Sequence, residues 1–557
     1  MALQLILGGS GAGKTTYLHD EVIRLSMEHP QEQYFLIVPE QFTMQTQKDI
    51  VTRHPNHGTM NIDIVSFARL AYRIFEELAV ENLSVLDDMG KSMVLRKVAA
   101  AQKRQMVLFG GQLSKPGFVG QLKSMLSEFY QYGITPENLR EMAPSAKSPL
   151  LQQKLNDLAL VEQSFQEYIE GHYITTEQVL DVLCRLIPES KLIRNSVIAL
   201  DGYTGFTPVQ YRLGELFLVY VFVTVTADEA AGVYGRMGMQ NLFYMSRQMA
   251  VRLSEIAEKN QIKKLPDIVL NDQKNRRFAQ HPELAWLEQN LFRYGTKNTY
   301  NGEQTESISF FQASNPSGEI SHIVHEIQRL VQEGRVRYRE IAVITGDLPG
   351  YGKEITHQFT QNQIPHFLDD KKNVLDNCLV ELIRASLEAV RQDFSYESVM
   401  RFLRTGLVSQ DRTMMDRLEN YILAMGIRGG KRFRATWEQT YRGAGDLNIT
   451  ELNAFKERAL APLFAMQETF RQEHLTIAGM TDAVLALLTD CRTEEKLGSY
   501  QEYFARIGEH RLAKEYGQVY GLVTELLKRL SDLLGEECVS RKEYLEILDA
   551  GFAELKV

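Results

Sequence analysis

Apolar residues fall along this chain in two kinds of block. Runs of strand length come first, at residues 3–7 (LQLIL), 33–39 (QYFLIVP) and 59–67 (TMNIDIVSF). Apolar residues at Leu18, Val22 and Leu25 follow the first run with helical spacing, and the amphipathic stretch ARLAYRIFEEL follows the third. From about residue 80 to 190 the pattern is helical almost throughout, as in DMGKSMVLRKVAAAQ and LQQKLNDLALVEQSFQEYIEG. Buried-strand runs return at 196–202 (SVIALDG) and 218–228 (LVYVFVTVTAD). A polar stretch at 293–307 reads as a linker. ISFFQAS and EIAVITGD then read as strands either side of the helix GEISHIVHEIQRLVQEG, and the chain is mostly helical from about 376 to 550.

The expected fold class is therefore α/β, with one arrangement appearing twice. A first core occupies 1–78 and 193–300, interrupted by a helical insertion at 79–192. A second core starts at 301–375 and gives way to a second helical insertion at 376–557. The final run, LEILDAGFAELKV, heads towards a strand. The second core is thus expected to be truncated, and the chain to be a fragment of a longer one.

The first strand and helix enclose Gly8-Gly9-Ser10-Gly11-Ala12-Gly13-Lys14-Thr15-Thr16, which fits G-x-x-x-x-G-K-[ST]. Strand, glycine loop and helix in that order are the context in which this motif cradles phosphates. Glycines let successive backbone N–H groups converge on phosphate oxygens, and the helix N-terminus adds partial positive charge. Lys14 is placed to reach the β- and γ-phosphates, and Thr15 to offer its hydroxyl to Mg²⁺. The expected ligand is ATP with Mg²⁺.

The bulk numbers bound the rest. A chain of 557 residues suggests about three or four folding units. No apolar run is long enough to span a membrane. Cys184, Cys378, Cys491 and Cys538 are far apart and form no C-x-x-C pair, which suits a reducing cytoplasm. A net charge of −9 means that any DNA contact comes from a local groove, not from a globally basic surface. The twelve histidines form no catalytic constellation, and His19, His172 and His366 read as surface or capping residues.

Two P-loop cores with helical insertions resemble a superfamily 1 helicase of the UvrD type. The stretches FLIVPEQFTMQTQKDI (35–50), IVSFARLAYRIF (64–75), LDDMGKSMVLRKV (86–98), ALDGYTGFTPVQ (199–210) and LENYILAMGIRG (418–429) resemble the AddB family. Its members are the second subunits of AddAB helicase–nucleases, which resect broken DNA ends. The resemblance covers essentially the whole chain and about the N-terminal half of the family's usual length. It implies two RecA-like cores, a heterodimer with the motor and nuclease subunit AddA, and duplex-end and single-stranded DNA as substrates. It also implies scanning of the 3′-ended strand for the Chi signal. A nuclease with its own Mg²⁺ and a [4Fe-4S] cluster are implied for the C-terminal half, outside this chain.

A helicase motor needs a strand ending in Asp-Glu, the acid pair that orients Mg²⁺ and the attacking water. Here the strand 197–200 ends in Asp201, a candidate for the Mg²⁺ site, but Gly202 follows. The next element reads VTVTADEAAGVYG, with Asp228 and Glu229 but no Gln in the expected place, and QKNRRFAQ matches the Arg-bearing loop poorly. Nucleotide is therefore expected to bind and to turn over slowly or not at all, with no catalytic residue assigned. The resemblance places Gln41, Phe42, Thr43, Ser66, Phe67, Arg69, Tyr72 and Phe206 on the DNA track. Aromatics stack bases, and Gln or Arg can read base edges. A second patch, GIRGGKRFRATW, sets Arg428, Lys431, Arg432 and Arg434 beside Phe433 and Trp437, and suits a DNA backbone, a solvated loop or a partner contact equally.

Overall fold

A computed structural model describes residues 2–80, 85–113, 117–216, 220–227, 233–235, 238–270, 277–278, 280–293, 299–302, 307–369, 373–445 and 447–557. It divides into two compact units. The first comprises 1–83, 131–133 and 176–370; the second comprises 84–130, 134–175 and 371–557.

The first unit is built on a parallel sheet. Its strands in chain order are β1 (Ala2–Gly8), β2 (Gln33–Ile37) and β3 (Ile62–Val65). A pair in the other unit takes the labels β4 (Val85–Leu86) and β5 (Ile174–Thr175). The sheet continues with β6 (Ser196–Leu200), β7 (Tyr220–Thr226), β8 (Lys263–Lys264) and β9 (Ile268–Val269). The spatial order is β3-β2-β6-β7-β1-β8, with β9 pairing further along β1, and every pairing is parallel. β1 is buried along its whole length, as expected of a parallel strand covered on both faces. Leu18, Val22 and Ile23 of the helix Lys14–Glu28 pack with Ile6, Leu36 and Phe222 of the sheet, and the helical period supplies that face.

The segments 308–314 and 340–347 differ from expectation. Neither carries a strand among the described residues. The helices Pro316–Gln332 and Leu348–Gln361 between and after them do form, and bury Ile320, Val324, Ile327, Ile355 and Phe359 in a small core. Phe310 and Ile344 remain 92% and 93% exposed. An apolar alternation makes a strand only where a neighbouring strand takes its hydrogen bonds, and none of the described residues does so here. Much of the expected linker at 293–307 lies outside the described residues.

The second unit is helical apart from the β4–β5 pair. The helices Asp88–Ala101 and Pro149–Ile169, from the earlier helical block, share one apolar core with helices from Cys378–Arg391 to Arg541–Glu554. Its residues thus come from both expected insertions, whereas 176–192 cluster with the sheet unit. Among the described residues no helix is long and apolar enough to cross a membrane.

Candidate nucleotide and DNA site

Because all strands of the sheet are parallel, the loops after β1, β2, β3 and β6 emerge at one edge, where α/β sheets place ligands. The loop after β1 is Gly9–Gly13. Gly11 and Gly13 have φ of 77° and 91°, a region that favours glycine. The helix Lys14–Glu28 then begins on Gly13 with no side-chain cap, so its first N–H groups stay available for an anion. Lys14 Nζ donates to the carbonyls of Gly8 (3.1 Å) and Gly9 (2.8 Å). Burial pulls the Lys14 pKa down, Asp201 and Glu288 pull it up, and Arg277 pulls it down. The Thr15 and Thr16 side chains are exposed at the helix start.

Asp201 closes β6. Its N–H donates to Ile37 O at 3.1 Å, and its buried carboxylate accepts from Thr224 Oγ1 at 2.6 Å. Thr15 and Asp201 offer one hydroxyl and one carboxylate. That set suits Mg²⁺, which keeps waters and takes its other ligands from phosphate oxygens. Among the described residues no three His, Cys, Asp or Glu side chains group to hold a metal alone, and the four cysteines are free. Asp228 and Glu229 lie outside the described residues.

Gly202 follows Asp201 with φ of 79°, and a Cβ there would face Pro39 and Phe42 at 3.5 and 3.9 Å. The loop 201–207 therefore lies against the loop after β2. It also meets the start of the helix Phe67–Glu77. Phe67 packs on Tyr203 (5.5 Å between ring centroids) and Phe206 (6.2 Å), and Phe206 packs on Tyr211. Ser246 Oγ donates to Thr204 O at 3.1 Å and fastens the loop from the helix Tyr244–Lys259.

The eight expected DNA contacts sort by exposure. Gln41, Phe42, Arg69 and Tyr72 are exposed, and Phe206 is half-buried. Thr43, Ser66 and Phe67 are buried. Thr43 Oγ1 donates to Glu40 O (2.9 Å), and Ser66 caps its helix by accepting from the Arg69 N–H (3.3 Å). In the second patch Arg428, Lys431, Arg432 and Arg434 are exposed, but Phe433 and Trp437 are buried; Trp437 stacks on Tyr421 at 4.5 Å. Its aromatics are core residues, so the patch offers cations without stacking faces.

His19 departs from expectation: it is 1% exposed, and its Nε2 has no partner among the described residues. It lies on the core face of the helix beside Leu18. His172 and His366 are both exposed, each donating from Nδ1 to a nearby carbonyl, of Glu170 and Ile364 respectively. Two residues at the loop carry no local sequence signal. The Arg277 N–H donates to Gly11 O at 3.0 Å, and Glu288 Oε1 accepts from the Ser10 N–H at 3.1 Å. Both partners are far apart in sequence, and no local pattern encodes such contacts.

Comparison with known proteins adds the lineage. Residues 5–288 match the family model described as ADDB, N-terminal, and residues 257–534 match the UvrD-like helicase C-terminal domain. Relatives named as the second of the subunits of an ATP-dependent helicase/deoxyribonuclease resemble the whole chain. The one from Lachnoclostridium phytofermentans is 39% identical over 100% of this chain and 49% of its own length. Those from Acetivibrio thermocellus and Clostridium novyi are 32% and 31% identical, over 49% and 48% of theirs. The chain spans about half the length of these curated relatives. With the first model covering just over half of the chain, from within β1 to the helix whose Glu288 meets the glycine loop, the chain belongs to the AddB family.

Proposed function

We propose that this chain is the helicase-like part of the AddB component of a bacterial helicase–nuclease for double-strand-break repair. In this reading 1–78 and 193–300 form the first RecA-like core, 301–375 begins a second that is truncated here, and 79–192 and 376–557 are the helical insertions. AddA is the motor and nuclease partner, and the pair works in the cytoplasm on duplex ends and single strands. The nuclease and [4Fe-4S] cluster belong to the remainder of the full-length protein.

The glycine loop Gly8–Thr16 holds ATP in this account. The Lys14 ammonium leaves the Gly8 and Gly9 carbonyls for the β- and γ-phosphates. The Thr15 hydroxyl and the Asp201 carboxylate hold Mg²⁺, directly or through water. Bound Mg²⁺ supplies charge neutralisation at the phosphates. Gln41, Phe42, Arg69, Tyr72 and Phe206 face single-stranded DNA along the same sheet edge, and Thr43, Ser66 and Phe67 hold their loops in shape. Base-edge contacts by Gln41 and Arg69 read the Chi signal.

The observation that carries this reading is the combination at that edge: a glycine loop leading into an uncapped helix start with Lys14, Asp201 closing β6, and Gly202 where a motor places its second acid. Without a carboxylate at 202 to orient water, binding outlasts turnover. The test is to measure nucleotide binding and DNA-stimulated hydrolysis on the full-length protein, with Lys14→Ala as control. An active ATP-driven translocase is the competing reading. It gains one observation, the carboxylate of Glu288 at the loop. DNA-stimulated turnover by the full-length protein without its partner would establish it.

A further inference from the structure

The segment carrying Arg277 and Glu288 touches the glycine loop twice. The Arg277 N–H takes the Gly11 carbonyl, and the Glu288 carboxylate takes the Ser10 N–H. Glu288 is half-buried on the helix Pro282–Asn290. Its charge also acts on Lys14, whose ammonium bonds to two loop carbonyls. A loop N–H and the loop lysine are the groups that a P-loop offers to phosphate oxygens. In this chain both stand under the influence of one carboxylate.

A phosphate entering the cradle meets that carboxylate as a like charge. It needs the same N–H, and the same ammonium balances both anions. The two occupants exclude each other, so the Glu288 side chain has to withdraw before the loop closes on a polyphosphate. We propose that Glu288 is a built-in competitor for the terminal phosphates of the nucleotide. It sets the affinity for a nucleoside triphosphate, and the helix Pro282–Asn290 moves with nucleotide occupancy. This rests on the reading of Gly8–Thr16 as a nucleotide site. Glu288 is here a specificity-determining residue. It lies at the phosphate end of the site, so ATP, with one more charged phosphate, feels it more than ADP does.

The experiment is titration of the full-length protein with Mg·ATP and Mg·ADP, by calorimetry, for the unsubstituted form, Glu288→Gln, Glu288→Ala and Lys14→Ala. Both Glu288 variants are expected to bind ATP about twofold to fivefold more tightly, the span of a solvent-screened charged contact. The gain is smaller for ADP and shrinks as salt is raised. A packing or folding role would move thermal stability and leave the ATP-to-ADP ratio unchanged, which overturns the proposal. Equal or weaker ATP affinity in both variants also overturns it, as does slower hydrolysis with unchanged affinity, which would place Glu288 in the chemistry. Loss of binding in Lys14→Ala supports the underlying nucleotide site whatever Glu288 does. Equal binding by Lys14→Ala and the unsubstituted protein overturns that site and this proposal together.

Discussion

Replacing Gly202 by Glu restores, on paper, the acid pair of a helicase motor. The structure predicts that it will not restore a motor. The backbone at 202 has φ of 79°, where a side chain's Cβ crowds the following carbonyl. Adopting it costs a non-glycine residue about 1–2 kcal/mol. Space is not the obstacle: a Cβ would lie 3.5 Å from Pro39 Cδ and 3.9 Å from Phe42 Cδ2, ordinary contact distances. The cost should therefore depend on the backbone and not on side-chain size. Gly202→Ala and Gly202→Glu should each lower unfolding free energy by about 1–2 kcal/mol. Gly202→Asn should cost less, since Asn enters the left-handed region more readily. The added carboxylate would also start towards Pro39 and Phe42. Urea denaturation followed by circular dichroism measures the stabilities, and a coupled assay the turnover. A neutral Gly202→Ala, or a Gly202→Glu variant with rapid DNA-stimulated hydrolysis, would refute the reasoning.

Three further outcomes follow from the same geometry. Phe67→Ala should destabilise the sheet unit by about 3–5 kcal/mol, because the ring is buried against Tyr203 and Phe206, and Phe67→Leu should cost less; thermal melting checks both. On the DNA reading proposed above, Gln41→Ala and Arg69→Ala should weaken discrimination of the signal sequence by about 1–3 kcal/mol per lost bidentate contact, whereas Tyr72→Ala and Phe42→Ala should weaken single-strand binding evenly across sequences; binding titrations with matched and scrambled oligonucleotides separate the two. Glu162 is buried in the helical unit, with Gln166 donating to one carboxylate oxygen and no partner for the other among the described residues. Burial, helped by Glu137, pushes its pKa up to about 7. The folded state therefore holds a proton that the unfolded state has released, and stability falls as pH rises from about 4.5 through 7. Glu162→Gln should remove that slope and gain about 1–3 kcal/mol at pH ~8, by denaturation across pH.

The parts legible in the sequence were those written locally. The apolar run ending in Gly8 became a buried strand, and the glycine loop with Lys14 after it fell where the motif places it. Asp201 closed its strand because a parallel β-run ending in an acid has a recognisable length. Three classes of feature were not legible. Ile344 and Phe310 alternate as strand residues do, but pairing is a property of neighbours, and the described residues provide none. Phe67 and Ser66 look like groove residues in sequence, yet a helix starting at 67 turns the ring inward and spends the serine on its own cap. Arg277 and Glu288 reach the glycine loop only through folding of the intervening chain. His19 follows the same rule: the helical period that buries Leu18 and Val22 also carries its neighbour inward.

The central claim is that the loop binds nucleotide and the site turns it over little. Its most direct test is one titration and one turnover assay on the full-length protein, purified on its own. The account predicts saturable Mg·ATP binding that Lys14→Ala abolishes, and no hydrolysis stimulated by single-stranded DNA above the level of that variant. DNA-stimulated turnover at motor rates, on the order of 10 s⁻¹, that disappears in Lys14→Ala would contradict it.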